Sequence, residues 1–290
     1  MAKKVILTAD STCDLGAELK KRYNVEAFYP LHVTYGTESY DDSVNIFPDD
    51  IYARFYKDGT LPHTAAVSVG EYEDLFKPFV DDGCEVVHIS LGSALSSSHA
   101  NACIAAEQLG GVYVVDSQSL STGTGLLVIE AAELIAKGVE ASVVADAVRS
   151  MASKSHASFV LDTLKFMAAG GRCSTVAALG ANLLGIKPSI EVNNTAGGSM
   201  AVGKKYRGKF DKCVLDYVND QIEKYGDTIR GERIFITHSG MTEQYSDIPE
   251  MIRKDLKKRG IFAEIFETQA SCTISSHCGP NCIGVLFMTK

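Results

Sequence analysis

The sequence predicts an α/β fold in two parts: an N-terminal α/β domain with a parallel sheet over residues 1–157, and a C-terminal α+β domain with a mixed sheet over residues 158–290. Three observations carry that expectation. Through the first half, short apolar runs alternate with longer stretches of helical period, the pattern of buried strands joined by crossover helices. Near residue 157 the rhythm changes, and further on Asn193-Asn-Thr-Ala-Gly-Gly198 marks a hairpin. A chain of 290 residues holds one large domain or two ordinary ones, and the mixed pattern favours two. No low-complexity linker divides them, so the halves should pack against each other.

Residues 4–9 read as a buried first strand that ends in the polar turn Asp10-Ser11-Thr12, before an amphipathic helix through about Arg22. Residues 26–35 are extended and interrupted by Pro30, which calls for a bend or a sheet edge. After Pro48 a helix runs to about Lys57, and another spans 68–81. Residues 85–90 are strand-like, 97–109 helical, 112–115 strand-like and 122–137 helical again. Ligands of such sheets collect outside the carboxyl ends of the strands. Those tips share a chemistry here: Asp10-Ser11-Thr12, Ser90 with Ser93, and Asp116-Ser117, with Thr64 in the loop 62–68.

In the second half a strand ends at Leu161, a helical run breaks at Gly170-Gly171-Arg172, and a second helix runs from Ser174 to Leu184. Residues 189–192 and 200–206 form the arms of the hairpin. Long helices over 209–225 and 242–259 flank a strand at 233–237, and two further extended segments complete the chain. His238 and His277 both fall where a strand gives way to a turn.

Composition narrows the function classes. A net charge of -8 argues against nucleic-acid binding, which needs a surplus of Lys and Arg on one face. With 46% hydrophobic and 22% charged residues, and no apolar run long enough to cross a bilayer, the chain reads as a soluble protein without a membrane anchor. Its apolar first stretch ends too early, at Asp10, for a secretory signal, so the expected location is the cytoplasm. The cysteines at 13, 84, 103, 173, 213, 272, 278 and 282 form no repeated short pair and read as reduced thiols. Cys272, His277, Cys278 and Cys282 cluster in sequence, yet no second ligand pair stands at zinc spacing, so no metal or cofactor is expected.

No Gly-x-x-x-x-Gly-Lys-Ser/Thr is present, and Asp-Ser-Thr follows the first strand where a dinucleotide fold needs glycines. Gly123 and Gly125 open a helix after a strand and serve close packing. A stand-alone serine hydrolase acting on acyl esters would use Ser93, but Leu95 replaces the second glycine of a nucleophile elbow. Gly170-Gly171-Arg172 presents a cation beside the N-terminus of a following helix, a favourable place for an anion. The same turn is equally well a glycine C-cap followed by a surface Arg.

These segments together resemble the DegV family: Asp10-Ser-Thr-Cys-Asp-Leu15, Gly92-Ser-Ala-Leu-Ser96, Val115-Asp-Ser117, Leu164-Lys-Phe-Met-Ala-Ala-Gly-Gly-Arg-Cys-Ser174, Ile186-Lys-Pro188 with Lys205-Tyr-Arg207, and His277-Cys-Gly-Pro280 with Gly284. The likeness runs over nearly the whole chain, and its order and spacing, more than any one piece, are specific. It implies a protein that binds a long-chain, palmitate-like fatty acid between its two domains. Members of the FakB type present that acid to a separate fatty acid kinase. By position, the resemblance places the carboxyl-holding hydroxyls at Thr64 and Ser93, and puts Arg172 and His277 near the carboxyl, where they would assist phosphoryl transfer. Two departures stand out: Thr64-Ala-Ala where the family has Thr-Ser-Gln, and Gly279-Pro-Asn281 where it has Gly-Pro-Gly. The first removes polar groups beside the site and weakens the inference of a kinase partner. Phe159, Phe166, Met167, Leu179, Leu183, Leu184 and Ile186 are candidates to line the acyl tunnel.

Overall fold

The computed structural model of the chain describes residues 3–177 and 185–290. In chain order it opens with β1 (Val5–Asp10), α1 (Gly16–Arg22), β2 (Ala27–Tyr29), β3 (His32–Tyr35), β4 (Glu38–Asp41), α2 (Pro48–Asp58) and β5 (His63–Ala65). Next come α3 (Val69–Asp81), β6 (Glu85–Ser90), α4 (Ser98–Leu109), β7 (Val112–Asp116), α5 (Thr122–Ala136) and α6 (Ala141–Met151). The chain continues through β8 (Ser155–Leu161), α7 (Lys165–Gly170), α8 (Ser174–Ala177), β9 (Ile186–Asn193) and β10 (Ser199–Arg207). It ends with α9 (Phe210–Tyr225), β11 (Ile229–His238), α10 (Ile248–Arg259), β12 (Glu264–Gln269), α11 (Cys272–Cys278) and β13 (Cys282–Thr289).

The described residues form three sheets. The first is parallel, in the order β2-β1-β6-β7. Its strands alternate faces as the two-residue period requires: Val86 packs with Tyr72 and Phe76 of α3 and Ala102 of α4, whereas Val87 and Ile89 pack with α5 and α6. α3 starts on a capping box, with Ser68 Oγ accepting from the Glu71 N–H and the Glu71 carboxylate accepting from the Ser68 N–H. The second sheet is mixed, in the order β10-β9-β8-β13-β11-β12, and only β11 and β12 run parallel within it. α9 and α10 cover one face of it. α5, buried along most of its length, is wedged between the two sheets and packs on β1, β6, β8 and β13. Two cores therefore draw residues from both sides of residue 157, such as Leu127 with Phe235 and Leu286.

The third sheet, β4-β3-β5, is small and antiparallel. Together with α2 it encloses a minor core of Val33, Ile46, Ile51 and Tyr52 that rests on Phe166 of α7 and Cys272 of α11. The expected bend at Pro30 is where the chain leaves the first sheet, at β2, to enter this one, at β3.

Some expectations need correction. Residues 264–289 are two strands separated by a helix, α11, which places His277 on a helix and not at a strand end. α10 begins at Ile248, later than residue 242, after a 3₁₀ turn at Glu243–Tyr245 and with Pro249 in its first turn. α6 is a helix the sequence reading lacks. The helix expected to reach Leu184 starts at Ser174 as α8, and its remainder lies outside the described residues. Among the described residues no helix is long and apolar enough to cross a membrane.

Candidate functional site

At the carboxyl end of the parallel sheet, under β3 and β5, lies a cavity of about 500 Å³ counting its open mouth. Its apolar walls are Leu31, Ala65, Ala66, Leu91, Leu95, Leu120, Met200, Ile274 and Cys278, and its polar edge is made by Thr64, Ser96, Arg172, Thr273 and His277. A second, smaller cavity, about 320 Å³ with the open solvent at its mouth included, shares Leu120, Ile274 and Cys278 as walls and continues toward Phe159, Ala270 and Leu286. Of the expected tunnel residues, Phe159 lines this second space. Phe166 and Met167 line neither cavity, because α7 turns them into the core, where both are fully buried. Ile186 is half-buried on β9 and lines neither, and Leu179, Leu183 and Leu184 lie outside the described residues.

The polar edge is organised around His277. Its Nε2 lies 2.9 Å from Thr64 Oγ1, joining residues 213 positions apart. Its Nδ1 is buried and has no hydrogen-bond partner among the described residues. The tautomer with its proton on Nε2, donated to Thr64, leaves no donor orphaned at Nδ1. Thr64 then keeps its own hydroxyl proton for a ligand oxygen. Burial, reinforced by the positive charge of Arg172, holds the His277 pKa down to about 4, so the ring is neutral at neutral pH. Positive charge at this edge comes from Arg172.

Gly170 and Gly171 serve different ends. Gly171 adopts φ +66° as the left-handed cap of α7, and its N–H bonds the Met167 carbonyl. Gly170 is helical, but a Cβ there would fall 2.1 Å from His277 Nδ1, so the ring has room only because position 170 has no side chain. The turn has two structural consequences. It is a C-cap, and it also delivers Arg172 to the cavity mouth, with Nη1 donating to the Gly170 carbonyl at 2.9 Å and Nε to that of Leu95 at 3.4 Å. Neither partner is a carboxylate, and among the described residues none pairs with this guanidinium.

Ser93 is not brought to this edge. It is exposed, and its N–H donates to Asp116 Oδ1 at 3.2 Å. Its segment docks the β9–β10 hairpin: the Ala94 N–H donates to the Gly197 carbonyl at 2.9 Å, and a Cβ on Gly92 would come within 2.5 Å of that oxygen. The hydroxyl that this loop gives the cavity is Ser96, which is 2.9 Å from Ser98 Oγ. Among the described residues no hydrogen bond joins Ser93 to a histidine.

The walls are fixed from below. Asp10 Oδ2 accepts the N–H of Leu91 at 2.8 Å, while Oδ1 accepts the Tyr72 hydroxyl at 2.6 Å and lies 3.2 Å from His88 Nε2. The first strand's Asp-Ser-Thr turn thus positions a cavity wall. The start of α11 is held by two further aspartates. Asp42 accepts from the N–H groups of Cys272 and Thr273, and Asp14 from the Ser271 N–H and the Ser121 hydroxyl. Burial pushes the Asp14 carboxyl up to about 7. At the other end of α11, Asn281 takes φ +58°, a conformation that Asn tolerates almost as well as the glycine it replaces. Its Oδ1 accepts the Thr242 N–H at 2.8 Å. Sequence reasoning missed Ser96, Thr273 and Asp42. The serine run 96–98 gives no cue as to which hydroxyl turns inward, and Asp42 lies in a loop remote in sequence from the helix it caps. All eight cysteines are free, and no group of three or more His, Cys, Asp or Glu among the described residues is placed to hold a metal ion.

Comparison with known proteins adds the following. The family model described as uncharacterised proteins of the DegV family matches residues 4–290. A DegV domain-containing protein of Clostridium perfringens is 28% identical over 291 residues, covering 99% of each chain. Among solved structures, a DegV family protein from Thermus thermophilus, described for its fatty acid binding, superposes with a TM-score of 0.88 at 24% identity, covering 99% of this chain and 100% of that one. A stearic acid-binding protein from Eubacterium ventriosum gives 0.83 at 23% identity, covering 100% and 99%. At such identities the two structures establish a shared fold.

Proposed function

The chain belongs to the DegV family, and we propose that it binds a long-chain fatty acid with the acyl chain in the paired apolar cavities and the carboxylate against Thr64. The observation that carries this reading is the Thr64–His277 hydrogen bond at the edge of an otherwise apolar space, which leaves the threonine proton free for an anionic oxygen. Ser96 adds a second hydroxyl at the same edge. The fatty acids named for the Thermus thermophilus and Eubacterium ventriosum relatives fit the same chemistry.

Magnitudes divide the labour. A sixteen-carbon acid brings fourteen methylenes, worth about 0.8 kcal/mol each when buried, or on the order of 11 kcal/mol before association costs. The tail therefore supplies affinity. A hydrogen bond to a charged oxygen adds about 1.5–3 kcal/mol, enough to reject an acyl chain without a carboxylate. Denaturing the purified protein and analysing the released lipid by mass spectrometry should yield free fatty acid, and palmitate should rebind the delipidated chain. Thr64→Val should weaken that binding about tenfold, the equivalent of roughly 1.4 kcal/mol. Unchanged affinity would remove Thr64 from the head-group site.

A second reading extends the first. The guanidinium of Arg172, paired only with carbonyls, suits a phosphate carried by a separate fatty acid kinase, to which this protein would present the acid. Incubation with such a kinase and ATP should form acyl phosphate, and Arg172→Ala should lower its yield while palmitate affinity is kept. Loss of both together would make Arg172 a binding residue and leave phosphoryl transfer unsupported.

A further inference from the structure

Away from the cavity, α4 carries His99 and Cys103 one turn apart. The Cys103 thiol is exposed, and its Sγ lies 3.6 Å from His99 Nε2. His99 Nδ1 is 2.8 Å from Ser90 Oγ, and Ser90 Oγ in turn donates to the Val115 carbonyl at 3.2 Å. A hydroxyl has one proton. With it committed to Val115, Ser90 can only accept from His99, so the imidazole carries its proton on Nδ1 and turns an unprotonated Nε2 toward the thiol. Nucleophile, base and orienting group are therefore aligned, at the slightly long separation usual before a reactant arrives.

We propose that Cys103 is a base-assisted modification site that forms mixed disulfides with low-molecular-weight disulfides, with His99 as the base and Ser90 as the positioning residue. The Cys103 S–H proton passes to His99 Nε2 as the sulfur attacks one sulfur of the incoming disulfide. A new S–S bond forms, the old one breaks, and the departing thiolate takes the proton back from His99. One thiol and one disulfide give one mixed disulfide and one thiol.

The surroundings explain why a base is needed. Burial raises the Cys103 pKa, with Asp116 adding to the effect and Arg149 opposing it, so the resting group is a thiol. Burial lowers the His99 pKa, with His88 and Arg149 in the same sense and Asp116 and Asp10 against it, so the resting imidazole is neutral and able to accept. A sulfur with a raised pKa is also the stronger nucleophile once its proton has gone. Cys84, half-buried and without such a base, is an internal control, and the other six cysteines are buried or carry no exposed thiol.

The test treats the folded protein with oxidised glutathione at neutral pH and follows each cysteine by peptide mass mapping. Cys103 should be modified well ahead of Cys84, at a rate nearly flat between pH 6.5 and 8. His99→Gln should slow Cys103 by about tenfold or more, within the range of general-base effects, and leave the Cys84 rate unchanged. A lone thiol instead gains about tenfold per pH unit below its pKa, because only the thiolate reacts. That profile in the unmutated protein, or an unaltered Cys103 rate in His99→Gln, overturns the proposal.

Discussion

Gly170→Ala should destabilise the protein and weaken fatty acid binding together. Helix propensity alone predicts the opposite, since Ala in place of Gly favours a helix by up to about 1 kcal/mol. The added methyl, however, would fall 2.1 Å from His277 Nδ1 and about as close as van der Waals contact forbids to Cε1 and Cγ, at 3.0 and 3.1 Å. Overpacking of this kind costs about 1–3 kcal/mol, so the clash sets the sign. Relief comes only by moving the ring, which breaks its bond to Thr64 Oγ1 and misdirects the hydroxyl. Palmitate affinity should therefore fall at least as far as in Thr64→Val, and urea unfolding should shift to a lower midpoint. The double change Gly170→Ala with His277→Ala separates the two effects: the vacated imidazole leaves room for the methyl, so stability should return while affinity stays low. A single Gly170→Ala protein with unaltered midpoint and affinity would show that the ring and the turn are not in contact.

That contact marks the limit of what the sequence disclosed. The parallel sheet was legible because β1 and β6 are short, mostly apolar runs, Val5 to Ala9 interrupted only by Thr8 and Val86 to Ile89 only by His88, and such runs need no partner to be recognised. The hairpin was legible from its own turn, and the C-cap at Gly171 from the paired glycines. α6 was available in the sequence, since Ala141, Val144, Ala145 and Val148 repeat at helical spacing and form a distinct apolar stripe. α11 was not available. Its seven residues, rich in Cys and Ser, have little intrinsic preference for a helix and form one because distant aspartates and the cover of α2 hold them. The same reason hid part of the site. Thr64, Arg172 and His277 were placed by family resemblance, and the structure brings all three to one cavity, whereas Ser93 and Ser96 differ only by how a loop turns. Local pattern carries no information about that choice. Gly170 looked like punctuation because its true neighbour is 107 positions away.

The largest loss of stability should follow Asp42→Ala. Asp42 is 1% exposed, and its two oxygens accept four hydrogen bonds: Oδ1 from the Cys272 N–H at 2.6 Å and the Ser43 hydroxyl at 2.9 Å, and Oδ2 from the Thr273 N–H and the Ser11 hydroxyl, both at 3.1 Å. The two amides belong to the first turn of α11, whose N–H groups have no partner within the helix. Hydroxyls can turn to other acceptors, but backbone amides cannot, and Cys272 and Thr273 are both buried away from water. Each donor left unpaired costs about 1–3 kcal/mol, so Asp42→Ala should lower the unfolding free energy by roughly 3–5 kcal/mol, a large share of a typical domain's stability. Asp42→Asn keeps one acceptor oxygen and sets an amide N–H₂ against the remaining donors, so it should fall between the two. Because α11 carries His277 at its far end, a shift of this first turn also displaces the ring from Thr64. The Asp42→Asn protein, if it folds, should accordingly bind palmitate more weakly although residue 42 does not line the cavity. Equal unfolding midpoints for Asp42→Ala and the unmutated chain would mean that α11 forms without its cap, and the geometry of the whole polar edge would then need another cause.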